Sequence, residues 1–309
     1  MSSPSTALQG KRAGWSTIGA YVALTKPRII ELLLVTTLPT MVVAKRGLPS
    51  IWLMVATLVG GTLAAGGANA INMVVDRDID RLMDRTKNRP LVTGAMSPTA
   101  ALVFALTLEV GAFIELWLAV NLLSAVLAVS ATLFYVFVYT LWLKRRSAQN
   151  IVIGGAAGAV PVLVGWAAVT NSLSWAPVVL FAIIFIWTPP HFWSLAVRYK
   201  EDYAAAEVPM LPVVASMRRT TREIVLYTVA LVAASILFGP VAHLGLIYLI
   251  TALVLGAAFL AVTVRLWRLA QSERATGKDA KRVFSYSITY LTVLFVAMAG
   301  DVLIRNHLH

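Results

Sequence analysis

Nine long apolar stretches, each near the length needed to cross a hydrocarbon layer, decide what this chain can fold into. They cover residues 29–44, 51–73, 99–120, 122–143, 151–169, 176–197, 224–241, 244–264 and 285–304, and each ends at charges, proline or turn residues. Backbone in lipid must satisfy its own hydrogen bonds, which leaves helices and closed barrels as spanning structures. Barrel strands alternate in apolarity over about ten residues, whereas these runs are apolar throughout. The expected fold is an all-α integral membrane protein, a bundle of about nine transmembrane helices. Composition agrees, with 59% hydrophobic and only 13% charged residues, roughly half the charge of a soluble domain.

Charge placement orients the bundle. A net charge of +12 comes in small loop groups between apolar blocks, with no basic stripe on a soluble face, so no nucleic acid is expected as a partner. With a cytoplasmic N-terminus, 23 of the 26 Lys and Arg residues fall inside, and only Lys45, Arg46 and Arg305 remain outside. That is the bias that orients multi-span proteins. The chain then divides into a cytoplasmic tail over 1–28, a nine-span domain over 29–304 and an external tail over 305–309. The N-terminal segment has no apolar core of a cleavable signal. A bacterial inner membrane is the expected location, with the mitochondrial inner membrane as the alternative because no acid precedes Glu31. The absence of cysteine excludes disulfides, thiolate metal sites and cysteine nucleophiles. Small residues crowd spans 2 (Gly60, Gly61, Ala64 to Ala68) and 5 (Gly154 to Gly158), where tight helix packing is expected.

The acidic residues are concentrated. Four aspartates follow span 2 and four carboxylates follow span 6. Asn72, Asp76 and Asp80 are spaced by four, so on a continuing helix they form one oxygen-lined stripe, each about 40° round from the last. Arg77, Arg81 and Arg85 make a second stripe beside it. Carboxylates one turn apart suit Mg²⁺, which bridges protein oxygens to substrate phosphate, and guanidinium groups suit the phosphate itself. A solvated helix end with alternating charge is the competing reading, but Asn72 lies within an apolar span where a lone amide is costly. On span 6, Arg198 and Asp202 return to within about 20° of the direction of His191, the one histidine in the depth of a span. Pro189 and Pro190 are expected to kink this span and open a cavity near His191. Trp187, Phe192, Trp193, Tyr199 and Tyr203 gather around it, as an interfacial belt or as faces for a carbocation. Glu31, Glu109, Glu115 and Asp301 show no grouping.

Asn72-x3-Asp76-x3-Asp80, followed by Asp84-Arg85-Thr86-Lys-Asn-Arg89-Pro90, resembles the aspartate-rich motif of UbiA-type intramembrane prenyltransferases. Leu24-Thr-Lys26-Pro27-Arg28, Thr188-Pro-Pro-His191-Phe192-Trp193, Asp202-Tyr203 through Pro212, and Phe284-Ser-Tyr286-Ser resemble the heme O synthase branch over nearly the whole chain. The resemblance implies transfer of a farnesyl group from farnesyl diphosphate to a vinyl group of heme B, with water adding, to give heme O for terminal oxidases. It implies Mg²⁺ held by Asn72, Asp76, Asp80 and Asp202, with Asp76, Asp80 and Asp202 catalytic. Asn72, Lys26, Arg28, Arg81, Arg85 and Arg89 are then expected on the diphosphate, and His191, Trp193, Arg198, Lys200 and Tyr203 on heme B, a substrate rather than a prosthetic group. Partners would be the lipid bilayer and a heme A synthase or terminal oxidase. In place of a second Asp-x3-Asp motif, Asp202-x3 leads to Ala206 and then Glu207, a departure from many superfamily members.

Two other functions fit parts of the pattern. A quinone precursor or other aromatic ring could replace heme as acceptor, although His191 and the basic Arg198, Lys200, Arg218 and Arg219 favour a propionate-bearing macrocycle. A secondary transporter predicts polar groups at the bilayer midplane, whereas here the carboxylates gather at one end of the spans.

Overall fold

Each apolar run becomes a helix, and the computed structural model has no strand among the described residues. The structure describes residues 15–307, and the side chains of these except 28–34 and 307, so Arg28, Glu31 and His307 lie outside the described side chains. In chain order the elements are α1 (Thr17–Thr25), α2 (Pro27–Lys45), α3 (Ile51–Val75), α4 (Arg77–Asp80), α5 (Pro90–Thr93) and α6 (Pro98–Ala119). Then come α7 (Leu122–Leu133), continued by a π-helix (Phe134–Leu143), α8 (Asn150–Thr170), α9 (Trp175–Arg198), α10 (Lys200–Ala205) and α11 (Leu211–Val214). Three long helices close the chain: α12 (Met217–Val241), α13 (Leu246–Gln271) and α14 (Gly277–His307). Eight helices are long and apolar enough to cross a membrane on their described residues. The expected first span falls on the 19-residue α2.

The helix ends follow from capping rather than from apolarity. Ser50 and Ser97 cap α3 and α6 by accepting from Leu53 N (3.2 Å) and Ala100 N (3.1 Å), and Asn121 caps α7. Ser216 accepts from Arg219 N (3.2 Å), which starts α12 seven residues before its apolar run because Arg218, Arg219 and Arg222 remain solvated. Gly245 at the head of α13 has no side chain to cap with. Asp301 of α14 does so instead, accepting from Gly245 N (2.6 Å) and Tyr248 N (3.3 Å). That accounts for one of the acids with no grouping in sequence.

One large core joins α8, α9, α12, α13 and α14, and a smaller one joins α1, α3, α5 and α6. The latter includes a helix within the polar N-terminal segment, with Ala20 and Leu24 of α1 buried against Ala70 and Met73 and Tyr21 edge-on to Phe104 (4.8 Å). Glycines let α3 meet α6: a Cβ at Gly67 would strike Glu109 and the Ala105 carbonyl, and one at Gly60 would strike Glu115 and Leu116. Thr132 of α7 donates to Glu109 (3.2 Å) in the same wall.

Candidate active site

Asp76 marks the point where the long α3 ends. It is the C-cap residue, and the short α4 restarts at Arg77. The i to i+4 bonds nevertheless run through the junction, Asp76 N to Asn72 O and Asp80 N to Asp76 O, both 2.9 Å. The expected oxygen stripe is thereby retained, with Asn72 (3% exposed), Asp76 (0%) and Asp80 (1%) all buried. The parallel arginine stripe is not. The chain leaves the helix after Asp80 and turns, so Arg81 stands exposed, while Arg85 and Arg89 bend back to line a chamber.

Each buried carboxylate has a basic partner from elsewhere in the chain. Asp80 accepts from Arg89 Nη1 at 2.5 Å. Asp76 is paired with Lys144 and accepts from Asn72 Nδ2 (2.6 Å), with Arg145 3.8 Å away. Arg145 also grips the exposed Asp78 through both carboxylate oxygens (2.6 and 2.7 Å), and this hydrogen-bonded ion pair holds the Asp78 carboxyl below the usual range. Lys144 is delivered by the π-helix. There Lys144 N bonds to Tyr139 O (2.8 Å) and Thr140 Oγ1 to Tyr135 O (2.9 Å), both five residues back. The same register sets Thr140 against Asn72 (3.2 Å) and stacks Tyr135 on Tyr139 (5.3 Å). Lys26, in left-handed conformation (φ 51°) between α1 and α2, reaches Asn69 (3.3 Å) and Asn72 (3.2 Å). Burial, with Arg89 and Lys144 nearby, pulls its ammonium down to about 7. An arriving anion would reverse that desolvation and repulsion.

These groups form the mouth of a chamber of about 420 Å³ between α2, α3, α7, α8 and α9, a size typical of small-molecule sites. Lys26, Asn72, Asp80, Arg85, Arg89 and Lys144 stand at the mouth, and Tyr135, Tyr139, Trp187 and Phe192 line the walls. The far end is reached at Thr37, Thr57 and Val164. Cations at the mouth can hold a polyanion, and the apolar interior can hold a hydrocarbon.

Asp202 stands apart from this cluster. It accepts from Arg85 N (3.3 Å), tying α10 to the loop after α4, but among the described residues no three Asp, Glu, His or Cys side chains converge as a metal site. The four expected metal ligands therefore do not meet. A separate helix carries Asp202, and the single backbone contact with Arg85 leaves it at the rim. Glu207 is exposed. The Mg²⁺ test falls on Asn72, Asp76 and Asp80. Among the described residues Asp76 Oδ1 is buried with no hydrogen-bond partner and only the Arg145 guanidinium facing it at 3.8 Å, and a buried carboxylate oxygen with bonding capacity left over suits a hard cation. A set this small fits Mg²⁺, which takes its remaining ligands from phosphate and water.

On α9, the expected heme residues separate. Tyr203 lines the chamber. His191 packs in the seam with α14, between Trp187 (4.2 Å) and Phe284 (4.6 Å), with Nδ1 2.7 Å from Ser287 Oγ. Ser287 gives its only proton to Phe284 O (2.6 Å), so His191 Nδ1 is the donor and Nε2 keeps its lone pair. Trp193 points the other way, buried edge-on to Tyr227 of α12 (5.5 Å). Arg198 and Lys200 are exposed where α9 ends. Pro189 and Pro190 lie within a continuous α9, and the cavity opens on its Thr188 and Phe192 face rather than directly at His191.

A membrane-embedded helical bundle with an acidic and basic mouth over an apolar chamber defines an enzyme that joins an anionic head group to chemistry on a hydrocarbon. The UbiA prenyltransferase family profile matches residues 33–300, and the chain belongs to that family. Its sequence is 56% identical over 282 residues to a protoheme IX farnesyltransferase of Frankia alni, covering 91% of this chain and 97% of the relative. It is 53% identical over 289 residues to one of Streptomyces coelicolor, covering 93% and 92%. Among solved structures it resembles a digeranylgeranylglyceryl phosphate synthase (TM-score 0.75, 18% identity, covering 93% of this chain and 99% of the other). It also resembles a UbiA homolog from Archaeoglobus fulgidus bound to DMAPP and Mg²⁺ (TM-score 0.59, 18% identity, 90% and 99%). At such identity these structures share the fold.

Proposed function

We propose that this protein transfers a farnesyl group from farnesyl diphosphate to a vinyl group of heme B, giving heme O. The observation that carries the reading is the buried stripe of Asn72, Asp76 and Asp80, of which Asn72 and Asp80 line the mouth of an apolar chamber, together with relatives of more than half identity that bear the farnesyltransferase name. Lys26, Arg85, Arg89 and Lys144 neutralise the diphosphate oxygens, and these fixed charges favour departure of the anion because they act in a site with little water. Asn72, Asp76 and Asp80 hold Mg²⁺, which when bound supplies further positive charge against the leaving diphosphate. Tyr135, Tyr139, Trp187 and Phe192 give the developing allylic cation aromatic faces and keep water from it. Asp202 closes the rim over Arg85.

Heme enters from the side of α9. Arg198 and Lys200 meet its propionates and Tyr203 its edge, while His191, stacked between Trp187 and Phe284, shapes this face of α9 from behind. Addition of the allylic carbon to the vinyl group leaves a cation beside the ring, and water adds there with loss of a proton. The 23-to-3 division of basic residues supports a cytoplasmic mouth and a bacterial inner membrane. A heme A synthase or terminal oxidase would consume the product. The test is to incubate membranes with heme B, farnesyl diphosphate and Mg²⁺ and to weigh the pigment. The mass of heme B plus a farnesyl group and a hydroxyl is expected. Unchanged heme B, with a prenylated quinone precursor formed instead, would move the acceptor to the other class.

A further inference from the structure

We propose that Gly158 sets the length of prenyl chain the chamber accepts, a reading that rests on the proposed function. Three glycines of α8 face the chamber, and their surroundings differ. A Cβ on Gly154 would strike the ring of Tyr139, and one on Gly155 would lie 2.7 Å from Thr188 Cγ2, so close packing explains both. A Cβ on Gly158 would meet nothing within 4 Å. No neighbour requires this glycine, and a helix interior disfavours one. What its missing side chain leaves is space in the chamber.

The depth of the chamber matches that space to a hydrocarbon. Ten residues of α8 separate Gly154, against the wall residue Tyr139, from Val164 at the far end, about 15 Å of helix rise. An extended chain advances about 3.5 Å per three backbone bonds, so a four-bond isoprene unit spans about 4.7 Å and three of them about 14 Å. A farnesyl chain therefore fills the distance from Gly154 to Val164. Gly158 lies one turn, about 6 Å, beyond Gly154, at the level where the second unit follows the first. Beyond Val164 the chamber ends in hydroxyls: Thr57 Oγ1 donates to Leu53 O (2.7 Å), and Thr37 Oγ1 is buried without a partner among the described residues. A fourth unit would have to press past Val164 against the partnerless Thr37 hydroxyl, a polar group that hydrocarbon cannot satisfy. A side chain at position 158 would shorten the space, and a smaller residue at 164 would lengthen it.

The full-length protein in lipid nanodiscs can be titrated with dimethylallyl, geranyl, farnesyl and geranylgeranyl diphosphates, followed by transfer to heme B from each. Gly158→Leu should keep the wild-type affinity for dimethylallyl diphosphate and weaken farnesyl diphosphate by about tenfold or more, in the range of one misplaced methylene group and above. Val164→Ala should raise the geranylgeranyl to farnesyl ratio by a similar factor. Thermal melts and Gly158→Ala, which adds one methyl into open space, separate loss of fold from loss of room. Equal weakening of all four diphosphates, or an unchanged order with a raised KM for heme, would overturn the proposal and assign the Gly158 wall to the acceptor. Binding is read without acceptor, so ordered diphosphate affinities with no prenylated heme would fail the proposed function and leave the chain-length ruler standing.

Discussion

The two acidic segments of this protein look alike in sequence and differ in the fold. After α3, Asp76 and Asp80 are sealed at 0% and 1% exposure, each against a cation, Lys144 from 68 residues along the chain and Arg89 from the loop that follows α4. After α9, Asp202 is half-buried with one backbone contact to Arg85, and Glu201 and Glu207 stand in solvent. Charges kept dry need compensation in place before substrate arrives, and such preorganised groups act most strongly on charge that develops in a reaction. In the proposed function the α3 end therefore acts as the reaction centre and the α10 end as its rim. Whether an acid is buried with a partner separates the two, and the number of acids does not.

The contrast can be broken in a graded series. Asp76→Asn and Asp80→Asn keep shape and remove charge, and each should lower kcat by about 10² to 10³ or demand far more Mg²⁺, as steady-state kinetics against Mg²⁺ would record. Next comes Lys144→Gln. It strands Asp76 in the interior, an imbalance of about 2 kcal/mol or more, and should lower both the melting temperature and turnover, the latter by about thirtyfold. Asp202→Asn should cost about tenfold, the worth of one charge-assisted bond at a rim, and Glu207→Gln nothing measurable. His191→Ala tests the α9 side: heme kcat/KM should fall by about tenfold with farnesyl diphosphate affinity unchanged. Asp78→Asn belongs with Glu207→Gln among the smallest effects. Its pair with Arg145 is solvent-exposed, and such pairs contribute about 0.2 to 1 kcal/mol, so activity should stay within about fivefold.

Much of this was legible in the chain, for identifiable reasons. Run length gave the spans, because lipid forces each apolar segment to close its own hydrogen bonds. Spacing by four placed Asn72, Asp76 and Asp80 together, and that register passes even through the break at Asp76. It misled for Arg81, since the stripe assumed a helix that ends at Asp80. Lys144 was missed as a partner of Asp76: it sits 68 residues away and reads as an ordinary loop cation beside Arg145 and Arg146. The one available signal was imbalance, an acid-rich end of span 2 against an acid-free basic end of span 4. The π-register that turns Tyr135, Tyr139 and Thr140 to the site leaves no mark in apolar periodicity. Trp193 shares a short aromatic run with Phe192, yet the two face opposite sides of α9, which only the packing of α12 decides.

The division between reaction centre and rim rests on where Mg²⁺ and diphosphate bind. The most direct measurement is the equilibrium affinity for farnesyl diphosphate across a Mg²⁺ titration, in the wild type, Asp76→Asn and Asp202→Asn. Mg²⁺ should tighten binding in the wild type and in Asp202→Asn, and have little effect in Asp76→Asn. A Mg²⁺ response retained in Asp76→Asn but lost in Asp202→Asn would place the metal at the rim and contradict the assignment of the buried pair.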